Sequence, residues 1–224
     1  MNLVLSQDKN NTSDLCGHIE NFLSDNEIQD FYSHQTKQFQ PAGTRYRGID
    51  TSIRDCDKLS GASVPEWLRH KLQYAIDSYN DRTYKFELYP ILSDNHEFNI
   101  VRYKKKGQFF TAHRDCRPTL DMIKNRVSMR KISLSIQLSS PLDYGGGNLE
   151  VAETYSRPDI LSNPKFEGLI SDMPQSEFRH KFKTMKDKGS LIIFTSFHLH
   201  ESTPLEWGKR DVLVGFIRGE SQVW

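Results

Sequence analysis

Gln108-Phe109-Phe110-Thr111-Ala112-His113-Arg114-Asp115 is the stretch on which the reading of this chain turns. Aromatic and β-branched residues fill its first half, which favours a strand. Side chains two apart on a strand share a face. A strand through 108–115 therefore sets His113 and Asp115 side by side and aims Arg114 away. Neutral imidazole and ionised carboxylate are good donors for Fe(II). A third donor must come from a distant strand. Ile193-Phe194-Thr195-Ser196-Phe197-His198-Leu199-His200 offers two, His198 and His200, on one strand face. His200 is preferred because it leads directly into Glu201-Ser202-Thr203-Pro204 and then Gly208-Lys209-Arg210; the pattern alone does not separate it from His198. The 87 positions between His113 and His200 fit a barrel whose strands meet inside. Two imidazoles and one carboxylate, without a thiolate, form the facial donor set that holds non-heme Fe(II) and leaves positions open. Arg210, ten positions beyond His200, is what a dicarboxylate co-substrate needs.

Working outward, the same β rhythm recurs. Short runs rich in aromatic and β-branched residues lie at 84–91, 97–103, 108–113, 131–138, 148–152, 190–195 and 211–218, separated by turn residues. Asp143-Tyr144-Gly145-Gly146-Gly147-Asn148 reads as a turn. Two helices precede them. Ser24-Asp25-Asn26-Glu27 has the form of a capping box and opens a helix through about Gln38. Ser63-Val64-Pro65-Glu66 repeats the device, and Trp67, Leu68, Leu72, Ala75, Ile76 and Tyr79 then form one apolar face. Helices followed by many short strands predict a mainly β protein with N-terminal supporting helices and a sandwich or jelly-roll core. The polar stretch 153–188, with Pro158, Pro164 and Pro174, fits no strand rhythm and reads as a lid-like insertion. The organisation expected is a helical support region over 1–82 and a β core over 83–224 that carries the insertion, together one domain in 224 residues.

Thirty Lys and Arg stand against 29 Asp and Glu, a formal charge of +1. That balance argues against a dedicated nucleic-acid binder. Lys104-Lys105-Lys106 reads as a solvated turn before Gly107. Cys16, Cys56 and Cys116 are odd in number and lack zinc-like spacing, which suits a reduced, cytoplasmic setting; Cys116 beside Asp115 reads as a bystander. The first residues are too polar for a signal peptide, and no stretch approaches the ~18 apolar residues of a membrane span, so no membrane partner is expected. A lone His-x-Asp pair is more often structural, and a lone arginine more often a surface ion-pair partner. The argument therefore rests on joint occurrence in a β context.

Three segments together carry a resemblance. They are Val101-Arg102-Tyr103 through Gly107, Phe109 and His113-Arg114-Asp115; Arg130 through Ser139 followed by Tyr144-Gly145-Gly146-Gly147-Asn148-Leu149; and Lys188-Gly189-Ser190-Leu191-Ile192-Ile193-Phe194 followed by His200, Thr203-Pro204, Gly208 and Arg210. In order and spacing, over roughly residues 67 to 218, the chain resembles the iron(II)- and 2-oxoglutarate-dependent dioxygenases, in their prolyl 4-hydroxylase-like branch. The resemblance implies a double-stranded β-helix core, with Fe(II) on His113, Asp115 and His200. It implies that Arg210 pairs with the distal carboxylate of 2-oxoglutarate and that Tyr103 faces the co-substrate or the metal. Gln137 stands where relatives often carry a tyrosine; Thr203, Ser133 and Ser135 are alternative hydrogen-bond donors to the same carboxylate.

The activity so implied is hydroxylation of an unactivated C–H bond, with O₂ consumed, succinate and CO₂ released, and ascorbate as an accessory. No catalytic residue beyond the metal centre is expected. The substrate first in line is a prolyl residue of a peptide or protein. The alternatives are the same chemistry on a free amino acid or other small molecule, a non-catalytic jelly-roll binding module, and a cupin-like metal protein without an oxo-acid. Arg54, Arg117 and Trp207 are the substrate-side candidates, with Arg114 and Arg218 as further rim residues.

Overall fold

The computed structural model describes residues 3–5, 16–43, 48–93, 96–116, 118–121, 126–152 and 181–220, with 4–5, 118–121, 126–127 and 181–183 as backbone. The chain runs through β1 (Val4–Leu5), β2 (Cys16–Ile19), α1 (Asp25–Ser33), β3 (Gln40–Pro41), β4 (Arg54–Asp55), β5 (Asp57–Ser60) and α2 (Glu66–Arg82). It continues with β6 (Glu97–Tyr103), β7 (Phe109–His113), β8 (Pro118–Asp121), β9 (Arg126–Gln137), β10 (Tyr144–Gly146) and β11 (Leu149–Ala152). The last elements are β12 (Lys181–Lys183), β13 (Leu191–Thr195), β14 (His200–Ser202), β15 (Leu205–Gly208) and β16 (Arg210–Glu220).

The capping box predicted for α1 forms. The Glu27 backbone N–H donates to Ser24 Oγ at 3.3 Å, and the Ser24 N–H donates to the Glu27 carboxylate at 2.7 Å. The helix stops at Ser33 rather than near Gln38, because Gln35 turns its amide to Phe31 O and to Ser63 O. That same contact corrects the second box. The Ser63 N–H is spent on Gln35 Oε1, so Pro65 becomes the N-cap of α2 with no side-chain cap. Leu68, Leu72, Ala75, Ile76 and Tyr79 nonetheless form its buried face.

All strand pairs are antiparallel. The large sheet runs β1-β2-β13-β9-β16-β6-β5-β3, with β8 beside β9; the small sheet runs β12-β11-β14-β7-β4; β10 and β15 form a separate pair. Successive strands cross between the sheets, from β6 to β7 and from β13 to β14, then back to β16. This is the double-stranded β-helix, or jelly roll, mainly β with two helices among the described residues.

Period-two alternation assigns each strand two jobs. On β9, Ile132, Leu134 and Ile136 face α1 and α2, in one cluster with Leu68, Leu72, Ile76, Ile100, Leu213 and Ile217. Each such side chain contributes about 1.5–3 kcal/mol when fully buried. The alternate residues Ser133, Ser135 and Gln137 are buried too, on the face between the sheets. Ile192 and Phe194 of β13 meet Leu149 and Val151 of β11 across that gap. A strand buried on both faces with one face polar marks the inside of the barrel as a site.

Four expectations need correction. The run 84–91 is not a strand; Lys85 adopts φ 53°, which interrupts any ladder, and a single bridge joins Leu88 to Gly219. The 143–148 turn contains a short strand, because Tyr144–Gly146 pairs with β15. The N-terminal part supplies strands besides helices: β2 extends the large sheet beside β13, and β4 extends the small sheet beside β7. Of the lid-like stretch 153–188, residues 153–180 lie outside the described residues, while Lys181–Lys183 forms a small-sheet strand paired with β11. Lys104–Lys106 sit at a turn as expected, with Lys104 paired to Asp57. All three cysteines are free thiols. No helix among the described residues is long and apolar enough to cross a membrane.

Candidate metal centre

His113 closes β7 and His200 opens β14, and the register pairs them directly across the small sheet. Their rings lie 4.3 Å apart between centroids. Asp115 is not on the same strand as His113, as the sequence had suggested; the strand ends at His113. The chain then bends inward, held by the Asp115 and Cys116 N–H groups, which both donate to Ser196 O at 3.0 and 2.9 Å. The carboxylate that results lies 3.6 Å from His113 Nε2 and 3.1 Å from His200 Nε2. One ligand atom from each of the three residues falls within 4.8 Å of the others, and all three side chains are buried.

The ring orientations are set from behind. His113 Nδ1 lies 2.7 Å from Thr111 O, and His200 Nδ1 lies 3.0 Å from His198 O. A carbonyl only accepts, so each Nδ1 carries the proton and each Nε2 turns a lone pair toward Asp115. Burial, then the neighbouring His200, pushes the His113 imidazole down to about 3, and it is neutral at ordinary pH. Burial alone would raise the Asp115 carboxyl, but the neighbouring His200 and then His113 hold it well below the usual carboxylate range. Ser133 Oγ donates to Asp115 Oδ2 at 2.9 Å and lies 2.9 Å from Ser196 Oγ. With the Ser133 proton on the carboxylate, the Ser196 proton points to Ser133. Ser133 thus serves Asp115 rather than the distal end of the pocket. Phe110 stacks on His113 at 3.6 Å, and Phe194 meets His200 edge-on at 4.8 Å.

His198 does not share a strand face with His200. Residues 196–199 form a turn between β13 and β14, so the alternation that would align the two histidines is broken. His198 acts on the site through its carbonyl, which orients His200.

Arg210 enters from the start of β16, opposite Tyr103 of β6. It is 2% exposed, one of the most deeply buried cations among the described residues. Its Nε donates to Gln137 Oε1 at 3.3 Å, and its guanidinium lies 5.6 Å from the Tyr103 ring centre. Nη1 is buried and has no hydrogen-bond partner among the described residues. The Tyr144 hydroxyl, which sequence reasoning had left in a turn, is buried beside it. Burial raises the pKa of the Tyr144 hydroxyl, and the Arg210 cation opposes that rise. Gly208 makes this approach possible. It holds φ 81°, and a Cβ there would fall 2.0 Å from Asp143 O.

The other candidates sort differently. The Thr203 hydroxyl accepts the Asn148 N–H at 2.8 Å and ties down the glycine turn. Trp207 is 54% exposed and lies over Gly145 on the β10–β15 pair. Arg114 donates to Phe197 O. Arg218 is buried, pairs with Glu97 and donates to Ser128 Oγ at 3.3 Å. Arg54 of β4 lies over Phe110 at 4.5 Å. Arg117 lies outside the described residues. Sequence reasoning missed Glu97 and Arg130. Glu97 pairs with Arg130 as well as Arg218, and the Arg130 guanidinium stacks on Phe216 at 3.8 Å. Glu97 shares the inward face of Val101 and Tyr103, whereas a register shift between β9 and β16 takes Arg130 off the face that alternation would give it with Ile132, so the sequence did not mark it.

The residues fit a metal and a dianion. Three buried ligand atoms converge with lone pairs inward, which suits Fe(II). The orphaned Arg210 Nη1 is a buried donor shaped for a carboxylate.

The comparisons with known proteins agree with this geometry. No curated protein matches the sequence. Solved structures do match its fold. The viral collagen prolyl hydroxylase of Paramecium Bursaria Chlorella virus-1, in complex with 2OG, is 18% identical over 92% of this chain and 96% of its own, with a TM-score of 0.54. A prolyl hydroxylase of Trichoplax adhaerens, in complex with a hypoxia inducible factor peptide fragment, is 16% identical over 90% and 82%, with a TM-score of 0.57. The non-heme alpha ketoglutarate dependent carbocyclase of nogalamycin biosynthesis is 13% identical over 92% and 79%, with a TM-score of 0.58. At these identities the likeness is one of fold. The family model for the 2OG-Fe(II) oxygenase superfamily matches residues 98–218, from β6 to β16, more than half of the chain and inclusive of His113, Asp115, His200 and Arg210. On that match, the chain belongs to the 2OG-Fe(II) oxygenase superfamily.

Proposed function

We propose that this protein hydroxylates an unactivated C–H bond of a prolyl residue in a peptide or protein, with Fe(II) held by His113, Asp115 and His200 and with 2-oxoglutarate as co-substrate. The observation that carries the reading is the buried guanidinium of Arg210, with a free Nη1, in the same barrel interior as the convergent triad. Fe(II), with 2-oxoglutarate and O₂, supplies the oxidising chemistry: decarboxylation to succinate and CO₂ coupled to transfer of one oxygen atom to carbon.

The chain's own residues prepare that chemistry. His113 and His200 present their Nε2 atoms to the metal because Thr111 O and His198 O hold their Nδ1 protons. Asp115 adds one negative charge, and Ser133 fixes one of its oxygens. Arg210 receives the distal carboxylate of 2-oxoglutarate, with Gln137 steadying Nε and Tyr103 and Tyr144 packed around the guanidinium. Val101, Val212 and Phe194 line buried parts of the interior and keep water out. No side chain has to move a proton as acid or base.

A peptide substrate is supported by the fold likeness to prolyl hydroxylases, one of them in complex with a peptide fragment. Three free thiols suit action in a reducing compartment such as the cytoplasm, with ascorbate as an accessory reductant. A small-molecule substrate is a second reading, favoured by the comparable likeness to the carbocyclase. The test is succinate formation by purified protein with Fe(II), 2-oxoglutarate and ascorbate, together with mass spectrometry of proline-containing peptides and free amino acids. Added oxygen on a prolyl residue supports the reading. Succinate release with oxygen added only to a free small molecule replaces it with the second.

A further inference from the structure

Two cations, Arg54 and Lys58, stand on strands that the metal centre does not use. Arg54 is on β4, an edge of the small sheet; Lys58 is on β5, in the large sheet. Only Cys56 separates the two strands, so the cations come from opposite walls of the barrel. Arg54 is the cross-strand partner of Phe110, and its guanidinium lies 4.5 Å above that ring. Phe110 in turn stacks on His113 at 3.6 Å. Arg54 is thus one aromatic ring away from a metal-ligand candidate. Its Nε donates to Cys56 Sγ at 3.2 Å, which fixes the plane of the guanidinium, and its Nη groups make no hydrogen bond among the described residues.

Lys58 pairs with Val101 in register, so its side chain leaves the sheet on the face that carries Val101 and Tyr103 into the barrel. It is half-buried, yet among the described residues it makes no hydrogen bond, ion pair or ring contact. Burial, followed by the Arg54 charge, pulls its pKa below the ordinary lysine value; Glu97 opposes this and Arg130 adds to it. The nearby carboxylates are already engaged. Glu97 is gripped by Arg130 and Arg218, Asp57 pairs with Lys104 at 2.5 Å, and Asp55 accepts from Gln108 Nε2 at 3.1 Å. An ammonium held among guanidinium groups, with the nearest carboxylate already shared between two arginines, is unfavourable, and an anion brought by a ligand relieves it.

We infer that Lys58 and Arg54 form a carboxylate subsite, which holds a carboxylate group of the substrate beside the metal centre. The inference rests on the reading of that centre as an oxygenase site and adds a substrate class to it. The carboxylate has two sources: an acidic side chain flanking the hydroxylated residue of a peptide, or the α-carboxylate of a free amino acid. The geometry is the same for both. One planar anion spans a guanidinium and an ammonium on opposing walls.

The experiment is calorimetric titration of protein loaded with Mn(II) and 2-oxoglutarate, a state in which binding is read without turnover. Two matched pairs are used: a blocked pentapeptide with proline between two aspartates against its asparagine counterpart, and L-proline against L-prolinamide. The ratio of affinities within each pair is the readout, so a partly unfolded variant does not distort it. In the wild type the acid binds at least about tenfold more tightly than its amide in one pair, and the ratio shrinks as salt is raised. The ratio falls toward one in Lys58→Met, inverts in Lys58→Glu and is kept in Lys58→Arg. Lys105→Glu, which makes the same charge change on the exposed turn, keeps the wild-type ratio. A preference confined to the pentapeptides identifies an acidic peptide, and one confined to proline identifies a free amino acid. A wild-type ratio near one in both pairs, or a ratio that Lys58→Glu leaves unchanged, overturns the inference. Mass spectrometry of the same ligands with the Fe(II) protein separates the two claims: preferred binding without added oxygen leaves the subsite standing and removes the hydroxylase assignment for those ligands.

Discussion

His200 sits directly opposite His113 on the antiparallel ladder of the small sheet, their rings 4.3 Å apart, and each ring is turned by the carbonyl of the residue two positions before it. The two side chains therefore form one unit with a shared tautomer. Removing either imidazole takes away one of three donors, and His200→Ala is expected to retain less than about a tenth of the metal that the wild type keeps after desalting. His198→Asn keeps its metal, because His198 works through its backbone carbonyl. Metal content measured on the purified variants checks both. Metal lost from His198→Asn and kept by His200→Ala would transfer the ligand role to His198.

Arg210 is buried with one nitrogen unpaired, so its loss acts on the dianion. Truncating one partner of a buried charge pair costs about 2–5 kcal/mol, hence Arg210→Ala is expected to weaken 2-oxoglutarate binding by roughly 30-fold or more. Arg210→Lys recovers only part of this, since an ammonium lacks the planar fork. Titration with 2-oxoglutarate in the presence of Mn(II) reads the effect directly.

Ser133 lies on β9, yet donates to a carboxylate two residues beyond the end of β7. Ser133→Ala frees that oxygen and loosens Asp115. Such supporting hydrogen bonds are worth about 10–100-fold in metal affinity. The measurement is competition for Co(II) against a chelator, with the visible Co(II) spectrum reporting altered coordination; an unchanged spectrum and affinity would refute the role.

Glu97 links β6 to β9 and β16 through Arg130 and Arg218. Burial would raise its carboxyl, but the Arg130 and Arg218 charges and hydrogen bonds outweigh burial and hold it below the ordinary glutamate value. A carboxyl depressed in the folded state stabilises the protein above its unfolded pKa of about 4.3, and that contribution fades as pH falls through the folded value. Glu97→Gln is thus expected to melt a few degrees lower than wild type at pH 7, with the two curves converging below about pH 4. The side chain is 42% exposed, so the gap stays small. A gap that persists or widens in acid contradicts the assignment.

Gly208 holds φ 81° with the Asp143 carbonyl 2.0 Å from where a Cβ would stand. Gly208→Ala forces β10 and β15 apart two residues before Arg210. A loss of about 1–3 kcal/mol in stability is expected from strain of this kind. Denaturant melts measure that loss, and 2-oxoglutarate titration at a temperature where the variant is folded measures the displacement of Arg210. Unaltered stability would mean the turn relaxes freely.

Much of this was legible in the chain. The Ser24–Glu27 box, the apolar face of α2 and the inward–outward alternation of β9 follow rules that span four residues or fewer, so they can be read from neighbours alone. The donor types His, Asp, His and Arg, with their order and spacing, pointed to the chemistry and the family. Other features failed for physical reasons. Ser63 did not cap α2 because Gln35, 28 residues away, took its N–H. The 84–91 run has strand-like composition, but Asn80 bonds the backbone of Phe86 and Lys85 turns left-handed, so the ladder never forms.

By itself the sequence determined the two helices, the main barrel strands and the kinds of side chain available to a metal and an acid, because periodicity and side-chain chemistry are local properties. Tertiary structure alone decided that Asp115 leaves its strand to meet the histidines, that His200 rather than His198 faces His113, and that Lys58 has no ion-pair partner among the described residues. Each of those outcomes depends on groups brought together from strands far apart in the chain, where Ser196, Ser133, Arg54 and Arg130 supply the forces that no neighbouring residue could reveal.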